Sequence, residues 1–162
     1  KEDTLITIQI DFQLAERFGM TYVDAEGQTK YPYVIHRTSI GCYERTLALL
    51  LEKYAGALPT WLMPEQVRVL PISDRLIDDA KKVEEQLSRA GIRVSCDTRS
   101  EKVGYKIREA QLEKIPYMLV IGDKEVEEGT VSVRSRKDGD LGSMPVESFL
   151  SKILQEIATK AK

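Results

Sequence analysis

Cysteine is nearly missing from this 162-residue chain, which holds only Cys42 and Cys96, in no CxxC spacing. That excludes a disulfide scaffold. No apolar run approaches the roughly 18 residues a membrane helix needs, and no signal peptide is recognisable, so the expected setting is the reducing cytoplasm with no membrane partner. A strong charge of either sign is missing as well. The formal net charge is -2 and the pI is near 5.6, so any RNA contact must come from a local basic patch rather than a general field. No repeat or low-complexity segment occurs. No glycine-rich phosphate loop follows the apolar run ending at Ile72, where Ser73-Asp74-Arg75-Leu76 stand instead, which argues against a Walker or dinucleotide loop. Histidine and tryptophan occur once each, as His36 and Trp61. At 42% apolar and 31% charged residues, the composition is that of a globule of one ordinary domain or two small ones.

What is present begins with alternation. From Thr4 to Phe12, Ile6, Ile8, Ile10 and Phe12 fall on one face and Thr7, Gln9 and Asp11 on the other, the period of a strand. The polar face reads either as the wet side of an antiparallel sheet or as a row facing a substrate. Asp24-Ala25-Glu26-Gly27 is turn chemistry and Tyr31 to Thr38 is a second β-rich run, so the two runs are expected to pair antiparallel across a long connection. Gly41 breaks the strand pattern. From Cys42 to Tyr54 the period becomes helical, with Leu47, Leu50, Leu51 and Tyr54 in register and Ala48 and Leu49 widening the apolar surface, so a largely buried helix is expected, ended by Gly56 and Pro59. Arg45 falls in its first turn, where the helix dipole disfavours a cation unless an anion binds there.

Pro59-Thr60-Trp61-Leu62-Met63-Pro64 is non-periodic and reads as a linker docked by its apolar residues. Three segments follow from this: 1–58, a linker 59–66 and 67–162. In the last, Val67 to Ile72 reads as a buried strand, Ser73 as a cap, and Leu76, Ile77, Ala80, Val83, Leu87 and Ala90 as one helix stripe closed by Gly91. Ile92 to Cys96 is the next strand, completing a βαβ unit with parallel neighbours. Glu101 to Lys114 gives a second helix with Val103, Ile107, Ala110 and Leu112 inward. Tyr117 to Ile121 is a central strand, Gly122-Asp123-Lys124 a turn, Thr130 to Ser135 a strand, and Val146 to Ile157 a last helix with Pro145 in its first turn. The sum is α/β: a three-layer α/β/α module with a mixed sheet of about five strands and three helices over ~95 residues. Basic residues gather near its loops, as Arg99 with Lys102, Lys106 with Arg108, and Arg134 with Arg136 and Lys137, where they could form one patch for phosphates or unstacked bases.

Specific motifs sharpen this. Thr7-Ile8-Gln9-Ile10-Asp11-Phe12, Val34-Ile35-His36-Arg37 and Gly41-Cys42-Tyr43-Glu44-Arg45 resemble the end of a class II synthetase catalytic domain with its third signature motif. Glu101-Lys102-Val103-Gly104-Tyr105, Ile115-Pro116-Tyr117, Gly122-Asp123-Lys124-Glu125-Val126 and Asp140-Leu141-Gly142-Ser143-Met144 resemble an anticodon-binding domain. Over essentially its whole length the chain resembles the C-terminal part of the bacterial-type threonyl-tRNA synthetases. The resemblance implies ATP-dependent attachment of threonine to tRNA(Thr) through threonyl-adenylate, with Mg2+ accompanying ATP and a homodimeric full-length enzyme. It makes His36 one of three ligands of a zinc ion that would hold threonine through its amino group and hydroxyl, rejecting valine, which lacks the hydroxyl. It implies ATP contacts for Arg45, Thr7 and Gln9, with Arg45 and Gln9 catalytic. Anticodon contacts fall on Glu125, Arg134, Lys102, Arg108 and Ser100, the last standing where asparagine is frequent. The first two signature motifs and two zinc ligands are expected upstream of Lys1, so the 162 residues alone are expected to be inactive. The alternative is a non-catalytic, synthetase-like RNA-binding or accessory protein built on the anticodon-binding fold.

Overall fold

Alternation and helical period become real elements over residues 6–161, which the computed structural model describes; Thr4 and Leu5 of the predicted first strand lie outside them. The chain divides between Lys53 and Tyr54 into two units, and no helix among the described residues is long and apolar enough to cross a membrane.

In the first unit, strand β1 (Ile8–Asp11) pairs antiparallel with β4 (Val34–Arg37), setting Gln9 opposite His36 and Ile10 opposite Ile35. Between them come a single helical turn, α1 (Leu14–Arg17), and a short hairpin of β2 (Tyr22–Val23) and β3 (Thr29–Lys30). Asp24 makes that hairpin, as its turn chemistry predicts, by accepting the backbone N–H groups of Glu26 and Gln28 at 2.9 and 2.8 Å. Helix α2 (Tyr43–Tyr54) follows, starting one residue after the predicted Cys42. The expectation that α2 is largely buried fails. Leu47, Leu49 and Leu51 are exposed, as are Ile8, Ile10 and Phe12 of β1, and among the described residues of this unit only Ala15 is buried. A periodic stripe specifies which face is apolar, not what lies over it.

The second unit is built on a five-stranded sheet in the order β6 (Val94–Cys96), β5 (Val67–Pro71), β7 (Tyr117–Ile121), β8 (Thr130–Ser135), β9 (Gly139–Pro145). The first three are parallel and the last two antiparallel, so the sheet is mixed, as expected. Helices α3 (Ile77–Arg89) and α6 (Val146–Ala158) cover one face, around Val67, Val69, Leu119, Val131, Val133, Leu87, Phe149 and Ile153. Helix α4 (Val103–Leu112) covers the other over β5 and β7, packing Ala110, Val103 and Ile107 on Leu70, Met118 and Val120. Phe149, fully buried, meets the Tyr117 ring edge-on at 5.4 Å, and burying one such side chain is worth about 1.5–3 kcal/mol.

Several expectations are corrected here. Gly122 begins a short helix, α5 (Asp123–Glu128), rather than a plain turn, so four helices pack on this sheet, not three. Leu112 is exposed rather than inward, because α4 ends there with its buried stripe already spent on Val103, Ile107 and Ala110. Ser73 makes no side-chain cap bond; a 3-10 turn, Asp74–Leu76, precedes α3 and leaves the Ser73 hydroxyl buried without a partner. Pro145 sits at the N-cap of α6, one position before its first turn. The docked linker is held by polar bonds besides its apolar residues. Thr60 donates to Glu156 at 2.5 Å, Arg136 donates to the carbonyls of Ala57 and Leu58, and Arg93 donates to those of Trp61 and Met63, while Leu58 and Met63 are buried.

Candidate functional site

The ladder pairing of β1 with β4 places three polar side chains of the first unit on one face, because directly opposed residues share a face and so do residues two apart. Gln9, Asp11 and His36 line one open cleft of about 550 Å3 together with Ile10, Phe12 and Gln13. Asp11 Oδ1 accepts the N–H groups of Gln13 and Leu14 at 2.8 and 2.9 Å, and these bonds, Leu14's first, hold its carboxyl below the usual range. Its Oδ2 lies 3.8 Å from His36 Nε2. Thr7 is exposed just before β1, in alternation with Gln9. Arg45 is the third residue of α2, where the dipole argument places it, but it does not line the cleft. Next to it, Glu44 accepts the Cys42 thiol at 2.7 Å, which lowers the Glu44 carboxyl.

Zinc was implied by the resemblance, and a tetrahedral zinc site needs three protein donors or four. Among the described residues no three His, Cys, Asp or Glu side chains come together as a metal site. His36 offers one imidazole, and its carboxylate neighbour is half committed to backbone N–H groups. This donor set does not by itself fit the ion.

In the second unit the basic residues do not form the single patch expected from their sequence spacing. Lys106 is 2% exposed and donates inward to the carbonyls of Pro71 and Asp97, at 3.3 and 3.0 Å. Arg136 donates to the carbonyls of Lys114, Ala57 and Leu58, and burial lowers its pKa. Arg99 is taken up by Asp97 and Glu109, each at 2.6 Å. Sequence spacing counts charges without showing which of them the core needs. Lys102 and Arg108 remain exposed on α4, Lys102 at its N-cap, and neither has an ion-pair partner among the described residues.

Arg134 lies on the side of β8 and β9 opposite the Phe149 core, and Glu125 reaches the same strand pair from α5. Val131 and Val133 face that core, so Ser132 and Arg134 face away from it. Glu125, in α5, accepts the Gly122 N–H through Oε2 at 3.0 Å and reaches Ser143 of β9 with Oε1 at 3.4 Å. Ser143 stands opposite Ser132, and Arg134 pairs with Asp140 at 3.3 Å. A Cβ at Gly122 would lie 2.8 Å from both Glu125 Oε2 and Ile72 Cδ1, so a larger residue there would have to push aside the ends of these two side chains, the Glu125 carboxylate among them. Ser100 lies apart from this face, at the C-terminal ends of the parallel strands, donating to Asp74 at 3.0 Å beside the Arg75–Asp123 ion pair. Asp74, Asp140 and Ser143 were not singled out as site residues by sequence reasoning. The signal for the last two was the Asp140-Leu141-Gly142-Ser143 motif, while Asp74 carried none.

Comparison with known proteins matches both units to families. The family model described as the anticodon binding domain matches residues 66–156, and that of the tRNA synthetase class II core domain (G, H, P, S and T) matches residues 1–54. A threonine–tRNA ligase of Clostridium perfringens is 63% identical over 160 residues, covering 99% of this chain and 25% of that protein. One from Clostridium botulinum is 60% identical over 162 residues, 100% of this chain and again 25% of the relative. The chain therefore spans about a quarter of the length of the curated relatives it matches. Among solved structures, the RNA binding domain of threonyl-tRNA synthetase from Cryptosporidium parvum superposes with a TM-score of 0.78 at 38% identity, covering 94% of this chain and 39% of that one.

Proposed function

The chain belongs to the anticodon-binding domain family, and on that premise we propose that it is the anticodon-reading portion of a threonine–tRNA ligase, carrying with it one wall of that enzyme's ATP and threonine site. One observation carries this reading: Glu125 reaches from α5 to Ser143 of β9 while Arg134 stands on the facing strand β8, a carboxylate acceptor and a guanidinium donor gathered on one strand pair. Bases splayed from a single-stranded loop expose Watson–Crick edges with both kinds of partner. Glu125 accepts from base amino or imino N–H groups, and Arg134 donates to base oxygens and ring nitrogens. Lys102 and Arg108 neutralise phosphates, and Ser100 adds a hydroxyl at the strand-end rim.

In the whole enzyme the reaction is ATP-dependent attachment of threonine to tRNA through threonyl-adenylate. Here Arg45 takes up nucleotide phosphate charge at the start of α2, where an anion turns an unfavourable position into a favourable one. Gln9 and Thr7 hydrogen-bond the substrates from the polar face of β1, with Gln9 in the same cleft as His36. In the whole enzyme His36 would supply one ligand of a zinc ion, which would hold threonine through its amino group and hydroxyl. Mg2+ arrives with ATP as part of the substrate.

The test is binding of anticodon stem-loops by the chain. A loop with a threonine anticodon should bind more tightly than one with altered anticodon bases. Arg134→Ala should cost about 1–3 kcal/mol on the first and little on the second. Lys102→Ala should weaken both alike and reduce the salt slope by about 0.7. Equal losses on every loop for Arg134→Ala would reduce that arginine to a phosphate contact and remove the main support for this reading.

A further inference from the structure

We propose that Asp140 is a specificity-determining positioning residue, which aims Arg134 at the anticodon; this rests on the reading of Arg134 as a base-contacting residue. The β8–β9 ladder runs Ser132 opposite Ser143 and Val133 opposite Gly142, then resumes with Arg134 opposite Asp140, so Leu141 is the extra residue of a bulge. Bulges re-aim side chains. Gly142 has φ +75°, a conformation natural to glycine.

One carboxylate holds this irregularity together. Asp140 Oδ1 accepts the Gly142 N–H at 2.9 Å, and Oδ2 faces Arg134 Nη2 at 3.3 Å. The same side chain therefore fixes the bulge and tethers the guanidinium. The two side chains are 41% and 55% exposed, so the ion pair adds little to stability, and its consequence is orientation. Arg134 has five N–H donors, and engaging one terminal nitrogen leaves others of the planar fork for a base edge. Along the same ladder Glu125 reaches Ser143 opposite Ser132, two residues or about 7 Å along the strand from Arg134. Asp140 thus holds the guanidinium away from the carboxylate that must itself stay available to a base.

The experiment compares Asp140→Asn, Asp140→Ala and Arg134→Ala in the chain, titrated with stem-loops carrying a threonine or an altered anticodon, alongside thermal melting. Asparagine keeps an acceptor for the Gly142 N–H and removes the charge facing Arg134. Loss of a surface carboxylate raises RNA binding generally, and the cognate-to-altered ratio cancels that uniform gain. Asp140→Asn should narrow the ratio about tenfold with the melting temperature retained, and should add nothing in an Arg134→Ala background, as for residues acting as one unit. Asp140→Ala should narrow the ratio at least as much and lower the melting temperature. If Asp140→Asn leaves the ratio unchanged while Arg134→Ala collapses it, the tether is overturned and the reading of Arg134 stands. Selectivity lost only in Asp140→Ala would mean that the bulge alone aims the arginine, and the tether is again overturned. If Arg134→Ala itself has no selective effect, the base-reading role fails, and the proposal with it.

Discussion

Asp97 shows how one residue can serve two elements at once, through its side chain and its backbone carbonyl. Its carboxylate accepts the Arg99 backbone N–H and guanidinium at 2.6–3.2 Å, its backbone carbonyl accepts Lys106, and the residue is 8% exposed. Arg99 holds the Asp97 carboxyl below its ordinary value, above all through the side-chain hydrogen bond. A depressed carboxylate pKa makes its stabilisation fully present above the unfolded value near pH 4, and that stabilisation is lost as pH falls through the folded value. Asp97→Asn should therefore lower stability by about 1–3 kcal/mol at neutral pH, with the difference from the parent shrinking below about pH 4 in urea titrations. A difference that stayed constant down to pH 2 would show that Asp97 acts through shape and not charge. Half-buried Cys96, whose thiol is pushed up to about 11 mainly by desolvation, stays protonated beside it and takes no part in this pairing.

At the scale of elements, helix α4 is tied to the ends of two parallel strands by a lysine inside the protein. Lys106 Nζ donates to carbonyls at the C-terminal ends of β5 and β6, next to the loops that carry Ser100 and Asp74. Burying an ammonium is costly, and replacing a buried charge with an apolar side chain is sometimes neutral. Here the partners are two backbone carbonyls that a methionine cannot satisfy, so the loss of hydrogen bonds should win. Lys106→Met is expected to destabilise by about 1–3 kcal/mol in urea denaturation. A gain in stability would show that desolvation of the ammonium dominates. The limits of sequence reading are visible in the same helix. Val103, Ile107 and Ala110 were legible from their period; Lys106 falls on the same stripe, but a charged residue type gave no reason to read it as buried. Gly122 was legible as a break but not as the start of α5, because a six-residue helix is too short to show a period.

For the whole molecule, the two units differ in how much they bury. The second has a continuous core on one sheet face and a smaller one on the other, while among the described residues of the first only Ala15 is buried. Amide hydrogen exchange on the chain should accordingly find β5, β7 and β8 protected near the global limit, with β1, β4 and α2 exchanging far faster. Comparable protection in both units would contradict this division. It would also imply that the exposed Ile8, Ile10, Leu47 and Leu51 find partners in solution.

Local spacing in the sequence determined a great deal: the β1–β4 pairing, the parallel βαβ start of the sheet, the central strand at Tyr117–Ile121, and the motifs that place the chain among anticodon-binding domains. The strands and their pairings follow from backbone periodicity, which each segment carries in its own residues, while the family follows from the motifs' resemblance. The tertiary structure alone decided which charges stay exposed at the surface. Lys106 and Arg136 are consumed by backbone carbonyls, Lys102 and Arg108 are left outside, and Arg134 is held by an aspartate across a bulge. Burial and pairing depend on what the fold brings against a side chain from distant parts of the chain, and no local period records that.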